Sequence, residues 1–152
     1  MNYHYTSLED KSMRLAYDVA KSFYRLNSWN QKACPVAVIR KNDAVLAIGV
    51  SGDGMHQMTA HCDRLDKPGS PYTECKWCVE TLHAEQDAIR RLKTDPKGAL
   101  CYLYGHFHAC KACISAMEVL GILDVVLLEG SETLFNRHDP GTIIGKPEQF
   151  AI

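Results

Sequence analysis

The chain has 152 residues, a formal net charge of −1 and an apolar fraction of 46%, so 1-152 is expected to form one domain whose core needs no disulfide staple. Nucleic-acid binders carry a basic excess or stripe; the tightest basic cluster here is Arg90-Arg91 with Lys93, which disfavours a polynucleotide partner. No apolar run reaches the roughly 18 residues of a membrane span, and the first ten residues lack a basic-then-apolar leader pattern, so the expectation is a cytoplasmic protein with no membrane partner.

Thr6-x-x-Glu9 has the form of a capping box. Leu15, Ala16, Val19, Ala20, Phe23 and Leu26 follow at helical spacing, which predicts a helix from about Leu8 to Asn27. Cys34 to Arg40 and Ala44 to Val50 read as strands joined at Asn42-Asp43, an antiparallel hairpin. A long insert, 51-82, comes next. Within it, residues 51 to 78 hold three glycines and two prolines, and so long a loop in a compact domain is usually functional or clipped by a metal. A helix is predicted from Val79 to Lys93, a strand from Ala99 to Tyr104 and a loop from Gly105 to Ala109. Cys110 to Leu120 is the next helix, closed by Gly121 at the C′ position. Leu123 to Leu128 is another strand. The C-terminal arm, 130-152, offers only a helical turn near Ser131 to Asn136. This order predicts an α/β chain with a mixed sheet and helices on both faces.

Seven cysteines is an odd count. Cys34 and Cys101 lie in apolar strand patterns and read as small buried hydrophobes. Four others form the pairs Cys75/Cys78 and Cys110/Cys113, a spacing that in a reducing compartment suggests metal binding. His83-Ala84-Glu85 and Cys110-Lys111-Ala112-Cys113 together supply one imidazole and two thiolates. That set suits Zn²⁺, and three protein ligands leave the fourth tetrahedral position open to water, as catalytic zinc sites do. Cys110 and Cys113 are i, i+3 in a first helical turn and share a face; the positive helix terminus favours their thiolates. His83 and Glu85 are i, i+2, so they converge only if the metal lies off the helix end. Glu85 is then the proton carrier for water whose pKa zinc lowers toward about 7. A zinc ribbon, or a non-catalytic zinc-binding interaction protein, is the competing reading; in it Glu85 is an ordinary surface acid. It requires a fourth ligand to close the site. His108 would give His-x-Cys-x-x-Cys, but His83 fits the open site better. Cys75-Lys76-Trp77-Cys78 is a second half-site, with Cys62, His61 and His56 upstream as partners, unless the pair is simply reduced and free. His106 and Phe107 enter the Cys110 helix and could stack on a base.

H-x-E followed by C-x-x-C is the signature of zinc-dependent nucleobase deaminases. The chain resembles the cytidine/deoxycytidylate deaminase superfamily, and within it the dCMP deaminase group, from about Ser28 to Leu128. The matching stretches are Ser28-Trp29-Asn30-Gln31-Lys32, Val36-Ala37-Val38-Ile39, His83-Ala84-Glu85-Gln86-Asp87-Ala88-Ile89, Cys110-Lys111-Ala112-Cys113 and Gly121-Ile122-Leu123-Asp124-Val125-Val126. The resemblance implies a cytidine-deaminase-like α/β/α sandwich with a mixed sheet of about five strands. It implies a catalytic Zn²⁺ on His83, Cys110 and Cys113, with Glu85 catalytic, and in some members a second, structural zinc. It implies a homo-oligomer that hydrolyses dCMP to dUMP and ammonia in pyrimidine nucleotide metabolism, with water as co-substrate. Two departures bear on the substrate. The family asparagine two residues past the glutamate is Asp87, and Ser51-Gly52 stands where the family has Asn-Gly. An acid at 87 that faced the pocket would repel a 5′-phosphate, which favours a nucleoside, free base or modified nucleotide instead. Ser28, Lys32 and Ser51 remain as candidates for ribose or phosphate contact, and Lys32 is the cation among them. A third departure is Ala109, where the family has proline before the first cysteine. A polynucleotide-editing deaminase is disfavoured by charge.

Overall fold

The computed structural model describes residues 1–26, 34–51, 74, 83–144 and 146–151, with backbone only over 23–26. Five strands form one sheet: β1 (Tyr3–Thr6), β2 (Val36–Lys41), β3 (Ala44–Val50), β4 (Leu100–Tyr104) and β5 (Asp124–Leu128). Their spatial order is β1-β5-β4-β2-β3. β1, β5 and β4 are mutually parallel, whereas β2 runs antiparallel to both β4 and β3. The sheet is therefore mixed, as expected. α1 (Lys11–Leu26) covers one face; α2 (Ala84–Arg90) and α3 (Lys111–Val119) cover the other.

Period-two alternation sorts the strand residues between these faces. Ala37 and Ile39, Cys101 and Leu103, and Val125 and Leu127 pack toward α2 and α3. Their neighbours Val36 and Val38, Tyr102 and Tyr104, and Val126 and Leu128 pack toward α1. Because both faces of β2, β4 and β5 are covered, these strands read as continuous apolar runs.

The β2–β3 hairpin turns at Asn42, whose φ is 52°, a left-handed conformation that asparagine tolerates. Gly121, at φ 77°, ends α3 as its position in the sequence suggests. The start of α1 differs from expectation. Thr6 is the last residue of β1, opposite Leu128, and no Thr6/Glu9 capping box opens the helix. Asp10 caps it instead, its Oδ1 accepting from the Ser12 and Met13 amides at 2.8 and 3.0 Å. β1 itself was not anticipated. The C-terminal arm folds back on the α1 face through the short helix α4 (Ser131–Leu134) and a 3-10 turn (Pro147–Phe150). There Phe135 and Phe150 are buried beside Tyr17 and Tyr104, and the Tyr104 hydroxyl donates to the Gln149 carbonyl at 3.1 Å. Among the described residues, no helix is long and apolar enough to cross a membrane.

Candidate metal centre

α2 lies directly on β3 because the facing residues are small. Ala84 and Ala88 are buried on the helix, and Gly49 opposes them on the strand. A Cβ at Gly49 would sit 2.1 Å from the Ala84 carbonyl oxygen and 2.2 Å from the Ala88 nitrogen. Only glycine permits that approach. An isolated glycine in a strand pattern is a signal of close backbone contact, and Gly49 is such a signal in β3.

The same helix carries Asp87, which is 3% exposed. Its Oδ2 accepts from the Val50 amide at 2.9 Å and the Arg91 Nε at 3.1 Å; its Oδ1 accepts from the Arg90 Nε at 2.7 Å. Burial pushes this carboxyl up, but the Val50 amide and the two guanidinium groups outweigh it and hold it below its usual range. The Asp87 carboxylate is thus paired within the fold. It ties the end of β3 to α2 and occupies both arginines of the basic cluster.

His83 is the N-cap of α2 and Cys110 the N-cap of α3, with nearly the same extended backbone, φ −68° at both. The His83 amide donates to Gln86 Oε1 at 3.3 Å. Gly105, at φ 87°, turns the chain sharply out of β4, and residues 105–109 carry it to Cys110. The two helix starts thus meet at one end of the sheet. His83 Nδ1 lies 3.3 Å from Cys110 Sγ and 3.5 Å from Cys113 Sγ, and the two sulfurs are 3.2 Å apart. The Cys113 amide points at Cys110 Sγ from 3.4 Å. A tetrahedral ion with bonds of about 2.0 Å to nitrogen and 2.3 Å to sulfur needs edges near 3.5 and 3.8 Å, so this triangle is slightly contracted but of the right size. Among the described residues it is the one group of three or more His, Cys, Asp and Glu close enough to share a metal ion. His83 is exposed and Cys113 buried, so the centre runs from the surface into the core.

Glu85 is 4% exposed. Its carboxyl is close enough to the Cys113 thiol to disfavour the thiolate. Burial, and after it Glu85, push the Cys113 and Cys101 thiols up. A buried thiol crowded by a carboxylate and a second thiol is poorly suited to ionise alone. A divalent cation reverses that balance, and the donor set of one imidazole and two sulfurs is what zinc takes. The residues fit the metal.

Beside this group, the His106, Phe107 and His108 rings pack together, with centroids 4.6 to 5.9 Å apart. His106 Nδ1 is buried and has no hydrogen-bond partner among the described residues. Burial, then His108, His83 and Arg137, push the His106 imidazole down to about 4, so it is neutral near pH 7. Ser51 follows β3 directly, its amide bonded to the Pro35 carbonyl at 2.9 Å. Ser28, Lys32, His56, His61, Cys62, Cys75 and Cys78 lie outside the described residues.

The sequence model of the cytidine and deoxycytidylate deaminase zinc-binding region matches residues 6–129. The chain belongs to this family. The deaminase match spans both helix starts of the centre and every strand except most of β1. Among solved structures, dCMP deaminase from cyanophage S-TIM5 in complex with dCMP and dUMP is similar at 20% identity and a TM-score of 0.50, over 81% of this chain and 88% of that one. Its apo form gives 19% identity and a TM-score of 0.47 over the same shares. A diaminohydroxyphosphoribosylaminopyrimidine deaminase/5-amino-6-(5-phosphoribosylamino)uracil reductase from Thermotoga maritima gives 21% identity and a TM-score of 0.42, over 76% of this chain and 28% of that one. No curated protein matches. The likeness to the nucleotide-bound phage structure shows the cytidine-deaminase-like fold, and family membership supports a zinc-binding, hydrolytic deaminase.

Proposed function

We propose that this protein deaminates a cytosine nucleotide, with dCMP, converted to dUMP and ammonia, as the leading substrate. The observation that carries the reading is the meeting of His83, Cys110 and Cys113 beside the buried carboxyl of Glu85. The three side chains would hold Zn²⁺, which when bound supplies Lewis-acid activation of water at neutral pH. Glu85 takes a proton from that water and delivers it to the ring nitrogen next to the amine-bearing carbon. It then assists proton transfer to the departing ammonia. Water adds oxygen, ammonia leaves, and the carboxylate ends as it began. The similar phage dCMP deaminase holding dCMP and dUMP supports the choice of nucleotide. Phe107 and His106 are proposed to line the base, and Ser28, Lys32 and Ser51 the sugar or phosphate. A second, structural zinc is proposed on Cys75 and Cys78 with Cys62, His61 or His56, and the working form is proposed to be a cytoplasmic homo-oligomer.

One observation favours a nucleoside or free base instead. Arg90 and Arg91, the paired cations nearest Glu85 in sequence, are engaged by Asp87, which lowers the positive charge they can offer a phosphate. Ammonia release measured with dCMP, CMP, deoxycytidine, cytosine, guanine and adenine separates these readings; turnover of dCMP well above deoxycytidine is expected. Glu85→Ala should keep its zinc and fold while losing about 10²-fold or more in turnover. Loss of zinc in that variant would make Glu85 a ligand and sink the mechanism. Elemental analysis should find two zinc ions per chain, falling to one in Cys75→Ser with Cys78→Ser.

A further inference from the structure

β1 lies almost wholly outside the segment that matches the family, which begins at residue 6. It nevertheless brings one side chain to the metal centre. Tyr3 pairs with Val125 in parallel register, and Val125 faces α2 and α3, so Tyr3 shares that face. The strand is fixed at its start: the Asn2 amide donates to Asp124 Oδ1 at 2.9 Å, and the Val125 amide to the Asn2 carbonyl at 3.1 Å. From there the Tyr3 hydroxyl reaches Ala109. It accepts from the Ala109 amide at 3.0 Å and donates to the Ala109 carbonyl at 3.4 Å.

Ala109 is 4% exposed and immediately precedes Cys110. Its peptide groups have little water to turn to, and an unpaired buried amide is costly. Where relatives have proline, the ring fixes φ and there is no N–H to satisfy. Alanine leaves φ soft and adds a donor. One phenol hydroxyl, acting as acceptor and donor on the same residue, answers both.

We propose that Tyr3 is a positioning residue for the metal centre: its hydroxyl pins Ala109, and through it Cys110, in place of the proline ring. This rests on the metal-centre reading. Tyr3 acts only through Ala109 and touches neither metal nor substrate.

Cobalt(II) titration tests it, because thiolate-to-cobalt charge-transfer bands and the visible d–d bands report tetrahedral coordination without any turnover. Tyr3→Phe removes only the hydroxyl. It should weaken cobalt affinity, measured by chelator competition, by about fivefold to a hundredfold, the range set by leaving a buried peptide group unpaired. Ala109→Pro introduced into the Tyr3→Phe protein removes the orphaned amide and restores rigidity, so affinity should recover to within about twofold of the unaltered chain. Cobalt binding that Tyr3→Phe leaves unchanged overturns the proposal. So does a proline that deepens the loss, since the effect would then lie in the packing of β1. Absence of cobalt bands in the unaltered protein would instead overturn the metal-centre reading itself.

Discussion

On the side of the sheet toward α2 and α3, Ile39, Leu103, Met117 and Leu127 pack among small residues, Gly49, Ala37, Ala47, Ala84, Ala88, Ala109 and two cysteines, and aromatic rings are absent from the buried cluster among the described residues. On the side toward α1 and the C-terminal arm the contacts include those of Tyr17, Tyr104, Phe135 and Phe150. Tyr104 meets Tyr17 and Phe135 edge to face there, with centroids 5.5 and 5.0 Å apart. Small residues bring helix backbones close to strand backbones and so fix where the helix starts lie. Large aromatic rings fill volume and bury a large apolar area each. The first face also buries charge, Glu85 and Asp87, which is costly unless paired. Both sides carry core, but the close helix–strand approach and the buried acids belong to the α2 and α3 side, with β2, β4 and β5 serving both.

That division can be broken most severely at Gly49. In Gly49→Ala the new methyl meets backbone atoms that no rotamer change can move, so a loss above about 3 kcal/mol is expected, beyond ordinary overpacking. Thermal unfolding should show it, and zinc content should fall with it, because α2 carries His83. Phe150→Ala strikes the other face. It should cost about 3 kcal/mol and lower the melting temperature, while zinc affinity measured on the folded protein stays unchanged. A matching loss of zinc affinity would mean that the two faces are not separable.

Asp87→Asn gives a smaller effect that sharpens the comparison. It removes charge-assisted bonds to half-exposed arginines, for which about 1–2 kcal/mol is reasonable. The folded Asp87 carboxyl sits below its ordinary value of 3.8. Its stabilisation is therefore fully present above about pH 4 and is lost as pH falls through the folded value. The stability gap between the native chain and Asp87→Asn should be constant from pH 5 to 7 and close below pH 4. Since the charge is spent within the fold, dCMP and deoxycytidine turnover should change by the same factor. A selective gain for dCMP would restore the idea that Asp87 senses the phosphate.

Much of this was legible in the sequence, and the exceptions share a cause. Turn residues and period-two runs are local signals, so β3 was found at its observed bounds and Gly121 was recognised as a helix stop. The grouping of His83, Cys110 and Cys113 was legible because zinc chemistry restricts residue types as well as spacing. β1 was not legible. Tyr3–Thr6 is exposed over most of its length, and its partner lies at the far end of the chain. The engagement of Asp87 was not legible, because its partners, the Val50 amide and the Arg90 and Arg91 side chains, are revealed only when the helix is laid on β3. Arg90 and Arg91 likewise read as a small basic patch until the acid between them was located.

The pairing of β1 with β5 also sets a timetable for synthesis. Asn2 and Asp124 are 122 positions apart. At about 5–20 residues per second, a ribosome takes roughly 6–24 s to cover that distance. His83, Cys110 and Cys113 all emerge before β5, so the ligand set is complete while Tyr3 still has no strand to lie against. β1 is thus made well before the strand it docks on, and Cys110 must be steadied by the core beneath it until then.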